Sequence, residues 1–199
     1  IAETNGSTGV DESGNTDTFT VVLNAQPTTD VVIQFVSADT GEVTVTSLLT
    51  FTSANWDTAQ TVTVTGVDED FVDQDQTTTV TASILDVSSD DNFDSVADQT
   101  VSVTTADDDV AGFTIAETEG STGVTEAGST DLFTVVLTGR PITDVVFSIT
   151  SSDSTETSVT SSLTFTSEDW DTPQNVTVTG LDDDLSLIHI SEPTRPTPI

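Results

Sequence analysis

Apolar residues in this chain alternate with threonines. In DTFTVVL, Phe19, Val21 and Leu23 fall on one face and Thr18 and Thr20 on the other, the two-residue period of a strand with one side on a core. The period recurs in DVVIQFVS (Val31, Ile33, Phe35), SLLTFT (Leu49, Phe51), TVTVTG (Val62, Val64) and QTTTVTASIL (Val80, Ala82, Ile84). A last strand, TVSVTT, carries Val101 and Val103. Gly, Pro, Asn and Asp fill the gaps, and no helix-length amphipathic pattern occurs. Six or seven short strands in about 110 residues predict an all-β, antiparallel Greek-key sandwich. The 42 threonines and the valines suit that choice, because β-branched side chains fit a half-buried pleated surface.

The pattern repeats itself. IAETNGSTGVDESGNTDTFTVVL from Ile1 returns as IAETEGSTGVTEAGSTDLFTVVL from Ile115, and residues 1–70 share 45 identical positions with residues 115–184 without a gap. This is tandem duplication with a unit the size of one sandwich domain. It predicts immunoglobulin-like β-sandwich repeats in tandem: residues 1–109 nearly complete, residues 110–184 a second copy truncated before its last strands. VAGFT at 110–114 gives the second copy a lead-in that the first lacks. Without counterparts of residues 76–84 and 98–106, the core face of the second copy is expected to be open. Trp56 and Trp170, at equivalent positions, are expected to plug the ends of the two cores. Residues 185–195, LSLIHISEPTR, match the translation of a transposase adapter used in sequencing libraries, so 185–199 are expected to be an artefactual tail. His189, the one histidine, and Arg195 fall inside it, which leaves Arg140 as the one basic side chain of the body, read as a surface residue flanking a turn.

Charge then asks for a partner. The formal net charge is −33, with 35 acidic residues against two basic ones, so arginine and lysine cannot neutralise crowded carboxylates. A metal ion, a proton or open solvent must do so. Nucleic acid and anionic membrane surfaces are poor partners for such a chain. There is no cysteine for disulfides or thiolate sites, and no apolar run of membrane-spanning length. The body offers no His, Cys, Lys or Tyr for nucleophile-and-base chemistry and no aromatic platforms for a sugar, so an enzyme is not expected. Calcium fits the oxygen-only donor set, since it takes six to eight oxygens in irregular geometry from several loops. The stretch DEDFVDQDQTTT is not an EF-hand, lacking the glycine at its sixth position and the closing glutamate. The alternative is a solvated acidic surface. Against it, the acids gather at strand ends and at the junction of the copies, while the strands present threonine to solvent. Asp90, Asp91, Asp94, Asp98, Glu3 and Glu117 are read as solvated charges.

The run LTFTSANWDTAQTVTVTGVDEDFVDQDQTTTVTASI, followed by TVSVTTADDDVAGFT, resembles the Calx-beta domain over residues 1–184, most closely from Leu49 to Phe113. That family is known for calcium-binding sandwiches in the regulatory region of sodium/calcium exchangers and in long bacterial surface proteins. The resemblance implies that Glu12, Asp39, Asp68, Glu69, Asp73, Asp107, Asp108 and Asp109 converge at one end of the first domain as ligands for calcium. Gln76 stands where the family has a further acid, which lowers the ligand charge. In the second copy the matching positions are Glu126, Asp153, Asp182, Asp183 and Asp184. The expectation is a calcium-binding structural repeat of a large secreted or cell-surface protein, its ions stiffening the joints between repeats for adhesion or extension. Its partners would be calcium ions, neighbouring repeats of the same chain and a surface receptor or glycan. The rival is a passive acidic spacer or carbohydrate-binding stalk module without a specific metal.

Overall fold

Alternating valine and threonine yields strands throughout. The computed structural model describes residues 1–182, with no α-helix among them and no helix long and apolar enough to cross a membrane. The chain divides into two units, Ile1–Val110 and a second that begins at Ala111.

The first unit is a two-sheet sandwich. Its strands are β1 (Ala2–Glu3), β2 (Thr8–Asp11), β3 (Thr16–Val21), β4 (Val31–Ser37), β5 (Val43–Val45), β6 (Leu48–Phe51), β7 (Gln60–Gly66), β8 (Gln76–Ile84) and β9 (Gln99–Ala106). One sheet has the order β1-β3-β7-β5 and the other β2-β9-β8-β4-β6. The apolar sides face each other: Phe19, Val31, Phe35, Phe51, Val62, Val64, Val80 and Val103 are all buried, and the rings of Phe19 and Phe35 meet edge-on with centroids 5.9 Å apart. Each of the six strands read from the sequence is present. The three others, β1, β2 and β5, are short, spanning two to four residues.

One pairing departs from the antiparallel expectation. β1 pairs antiparallel with β3, but a turn at Thr4–Gly6, with Asn5 at φ 55° and Gly6 at φ 85°, carries the chain across to the other sheet. There β2 lies parallel to β9, from Thr8 opposite Val103 to Asp11 opposite Ala106.

The second unit has β10 (Phe113–Glu117), β11 (Thr130–Leu137), β12 (Val145–Ser148), β13 (Thr157–Val159), β14 (Ser162–Phe165) and β15 (Gln174–Gly180). β10-β11-β15-β13 reproduces the first sheet of the first unit, whereas among the described residues the second sheet is the pair β12-β14. Val31, Ile33 and Phe35 are buried in β4, yet their counterparts Val145, Phe147 and Ile149 are only half-buried, and among the described residues the second unit has no counterpart of β8 or β9. TGVT at 122–125 differs from the β2 sequence TGVD only in its last residue but forms no strand. Its partner would be a counterpart of β9.

One acid corrects the sequence reading. Asp90 is buried, not solvated. Its carboxylate accepts hydrogen bonds from the backbone N–H groups of Thr28, Thr29 and Asn92, from the Thr28 hydroxyl and from the Asn92 side-chain amide. These donors hold its carboxyl well below the usual range, the Asn92 N–H contributing most. The carboxylate thus fastens the connection after β8 to the turn before β4, and Phe93, which packs on the core, follows it. Asp90→Ala is expected to lower the melting temperature of the first unit by several degrees, while exposed Asp91→Ala leaves it within about 2 °C. Thermal unfolding followed by circular dichroism checks both, and equal midpoints for the two variants would refute the fastening role.

Candidate metal centre

The site is assembled from strand ends. Glu12 follows β2, whose last residue approaches β7 so closely that a Cβ on Gly66 would collide with the Asp11 carbonyl. Gly180 meets Thr125 in the same way in the second unit. Glycine at the end of TVTVTG is therefore what lets β2 finish against β7 and brings Glu12 inward. The Glu12 N–H donates to the Ala106 carbonyl (3.3 Å), and the Asp108 N–H donates to Glu12 Oε2 (3.3 Å), so the end of β2 is tied to the segment that leaves β9.

The loop between β7 and β8 supplies the opposite wall. Glu69 Oε2 accepts the Phe71 N–H (3.1 Å), Asp107 Oδ2 accepts the Gln74 N–H (2.7 Å), and Asp107 Oδ1 accepts the Asp109 N–H (2.7 Å). Gln76, the departure from the family pattern, donates its side-chain amide to the Asp73 carbonyl (2.8 Å) and so braces the loop. Two triads result: Glu12 with Glu69 and Asp73, and Glu12 with Asp107 and Asp109, each with one carboxylate oxygen per residue within 4.8 Å of the others.

Glu42, which the sequence reading passed over, borders the same cluster. Burial raises its carboxyl above the ordinary range, and the charges of Asp73 and Asp39 add to the rise. Its signal was weak because it stands alone in GEVTV, away from any acidic run; its retention as Glu156 in the second copy was the available clue.

The electrostatics are those of crowded, desolvated acids. Burial pushes the Glu12 carboxyl up to about 7; the Asp108 N–H opposes this, while Asp107, Glu69 and Glu42 reinforce it. Glu69 is raised by burial and then by Asp73, Glu42 and Asp109, and Asp109 by burial and then by Asp107, Asp70, Asp108 and Asp68. Four carboxylate oxygens, Glu42 Oε2, Glu69 Oε1, Asp73 Oδ1 and Asp109 Oδ2, are buried with no hydrogen-bond partner. Buried acceptors left unpaired are costly, and a proton or a cation would relieve them. The residues present therefore fit a hard divalent ion, with Glu12 shared between the two triads.

Other expected positions lie outside the triads. Asp39, Asp68 and Asp108 are exposed. Asp39 caps its own turn, its carboxylate accepting the Gly41 N–H (2.9 Å), and Asp108 contributes its backbone N–H. In the second unit Glu126, Asp153 and Asp182 are exposed. Glu126 and Glu156 line an open recess with Thr125, Thr157 and Gly180, where the first unit has its enclosed cluster. The Asp153 carboxylate accepts from the Thr155 N–H (3.0 Å) and hydroxyl (2.6 Å). Asp183, Asp184 and the tail with His189 and Arg195 lie outside the described residues. Arg140 is half-buried, its Nε donating to the Ser167 carbonyl (2.8 Å).

No protein-family model matches the chain, and no curated protein matches it. Solved structures with a similar arrangement include CBD12 from CALX1.2, 16% identical with a TM-score of 0.37, covering 92% of this chain and 75% of that one. The D0-D1 domain of intimin is 15% identical with a TM-score of 0.35 and covers 89% and 82%. The Pseudomonas aeruginosa CupB2 chaperone is 10% identical with a TM-score of 0.40 and covers 68% and 93%.

Proposed function

We propose that the first unit binds calcium through Glu12, Glu42, Glu69, Asp73, Asp107 and Asp109, and that the chain is a calcium-binding structural repeat of a large secreted or cell-surface protein. The observation that carries this reading is the set of four buried carboxylate oxygens without partners, gathered around a buried glutamate. The donors are all oxygen and come from several separate segments, which suits calcium better than the stricter octahedron of magnesium. When bound, the ion supplies countercharge. The protein's part is to hold the carboxylates in place: Phe71, Gln74, Asp108 and Asp109 do so through backbone N–H groups.

Asp107–Asp109 leave the first unit directly toward the next repeat, so an ion there orders the exit of the chain. Repetition of such units gives length and stiffness to an adhesive or extended surface protein, with neighbouring repeats as the covalent partners and a receptor or glycan beyond them. Extracellular modules bind calcium at about 10⁻⁴ to 10⁻³ M, and an ion at 100 times its Kd adds about 2.7 kcal/mol. For a unit of this size that is a rise in melting temperature on the order of 10 °C.

Calorimetric titration of the chain with calcium and with magnesium tests the reading. Heat uptake by calcium at millimolar concentration or below, weaker magnesium binding and slowed amide exchange at Asp107–Asp109 are expected. Absence of calcium binding, with a melting curve that chelator does not move, would leave the passive acidic spacer.

A further inference from the structure

The turn at Thr4–Gly6 carries the chain from β1 in one sheet to β2 in the other, and it holds the one Asn-Gly pair in the sequence. Asn5 stands in the left-handed region at φ 55° and ψ 11°, Gly6 follows at φ 85°, and both are exposed. The second copy builds the same turn from Glu119 at φ 57° and Gly120 at φ 84°. The turn therefore does not need asparagine, and it accepts an acidic side chain.

Asparagine before glycine has a chemistry that glutamate lacks. The backbone nitrogen of the next residue can attack the side-chain carbonyl carbon and close a five-membered ring, and glycine has no Cβ to hinder the approach. Three of the other asparagines are tied down. Asn15 is held at both ends of its amide, Oδ1 accepting the Asp11 N–H (2.8 Å) and Nδ2 donating to Asp11 Oδ2 (2.7 Å). Asn55 Oδ1 accepts the Thr52 N–H (2.6 Å), and Asn92 Nδ2 donates to Asp90 Oδ1 (2.7 Å). Asn24 and Asn175 precede Ala25 and Val176, whose side chains stand in the way, and Asn175 is also paired within β15. At Gly6 the surroundings are open: a Cβ there would meet nothing within 4 Å, so the turn has room to rotate into the ring.

We propose that Asn5 is a self-modification site, at which the Gly6 backbone nitrogen closes on Asn5 Cγ and the ring reopens to aspartate or isoaspartate. In the first step the new N–Cγ bond forms as the bond from Cγ to the side-chain nitrogen breaks, and the Gly6 amide proton leaves with that nitrogen as ammonia. Water then opens the succinimide at either carbonyl. Attack at Cγ gives aspartate, which suits a turn that holds Glu119 in the second copy. Attack at the main-chain carbonyl routes the backbone through the side chain and lengthens it by one methylene. The longer link no longer fits between Glu3, opposite Phe19, and Thr8, opposite Val103, so the crossing between the sheets loosens. None of this rests on a metal.

The test ages the full chain at mildly alkaline pH and body temperature beside Asn5→Glu, which copies the turn of the second unit. Peptide mapping by mass spectrometry is expected to show amide-to-acid conversion at Asn5 about tenfold or more faster than at Asn24 or Asn175, with isoaspartate among the products. The melting midpoint of the first unit is expected to fall by about 3 °C or more in the aged parent, whereas aged Asn5→Glu keeps its fresh value. An intact Asn5, or conversion no faster than at Asn24, would overturn the site. Aspartate as the sole product, or isoaspartate without a fall in midpoint, would overturn the loosening of the crossing.

Discussion

Glu12→Gln is expected to raise the melting temperature of the ion-free chain by a few degrees and to weaken calcium binding tenfold or more. The opposite signs come from one cause. Glu12 belongs to both triads and is buried, with the charges of Asp107, Glu69 and Glu42 around it. Without an ion its carboxylate is repelled and desolvated, so an isosteric neutral amide relieves the folded state. With an ion it is a shared ligand, and losing its charge lowers affinity. Melting curves in metal-free buffer and in saturating calcium, with calorimetric titration of both proteins, provide the measurement. A lower melting temperature in both conditions would mean that Glu12 acts only as a structural acceptor for the Asp108 N–H, and the metal reading of the cluster would fail.

The second large effect is a reversal of pH dependence on adding calcium. The Glu12 carboxyl is raised from 4.5 to about 7, and Glu42, Glu69 and Asp109 are raised as well. Between about pH 4.5 and 7 the folded, ion-free chain retains protons that the unfolded chain has released, so its stability falls as pH rises through that window. Below the window the direction changes. Asp90, Asp131, Asp153 and Asp169 are held below their usual value, and the stability they contribute is lost as pH falls under about 3.8. The ion-free chain is therefore expected to be most stable near pH 4 to 5. Calcium must displace the retained protons, so its affinity grows from pH 5 to 7.5 and the stability maximum moves to neutral pH. Melting temperatures across pH 3 to 8, with and without calcium, display the crossover. A metal-free chain that gains stability steadily from pH 5 to 7.5 would contradict the crowding of these acids.

What could be read from the residues follows from how local each signal is. β3, β4, β6, β7, β8 and β9 announce themselves because their alternation runs over several residues. β2 could not be read that way. TGVD forms a strand and TGVT does not, and the difference lies about ninety residues downstream, in the presence of β9. Glu69, Asp73, Asp107 and Asp109 sit in acidic runs and Glu12 lies where the resemblance implies a ligand, so the sequence alone could name them as candidates, and the structure places them near one another. Glu42 was missed because only the fold brings an isolated glutamate before β5 into the cluster. Asp90 was misread for the converse reason: it lies in an acidic, Ser-rich connection that looks solvated, and the donors that bury it come from the turn at Thr28–Thr29.

The parallel pairing of β2 with β9 bears on how the first unit answers a pull. Tension transmitted along the chain draws β2 toward its beginning and β9 toward its end, so the ladder from Thr8–Val103 to Asp11–Ala106 is loaded lengthwise. Its hydrogen bonds must then rupture together rather than unzip in turn, and the Glu12 N–H to Ala106 contact prolongs that shear-loaded clasp up to the acidic cluster.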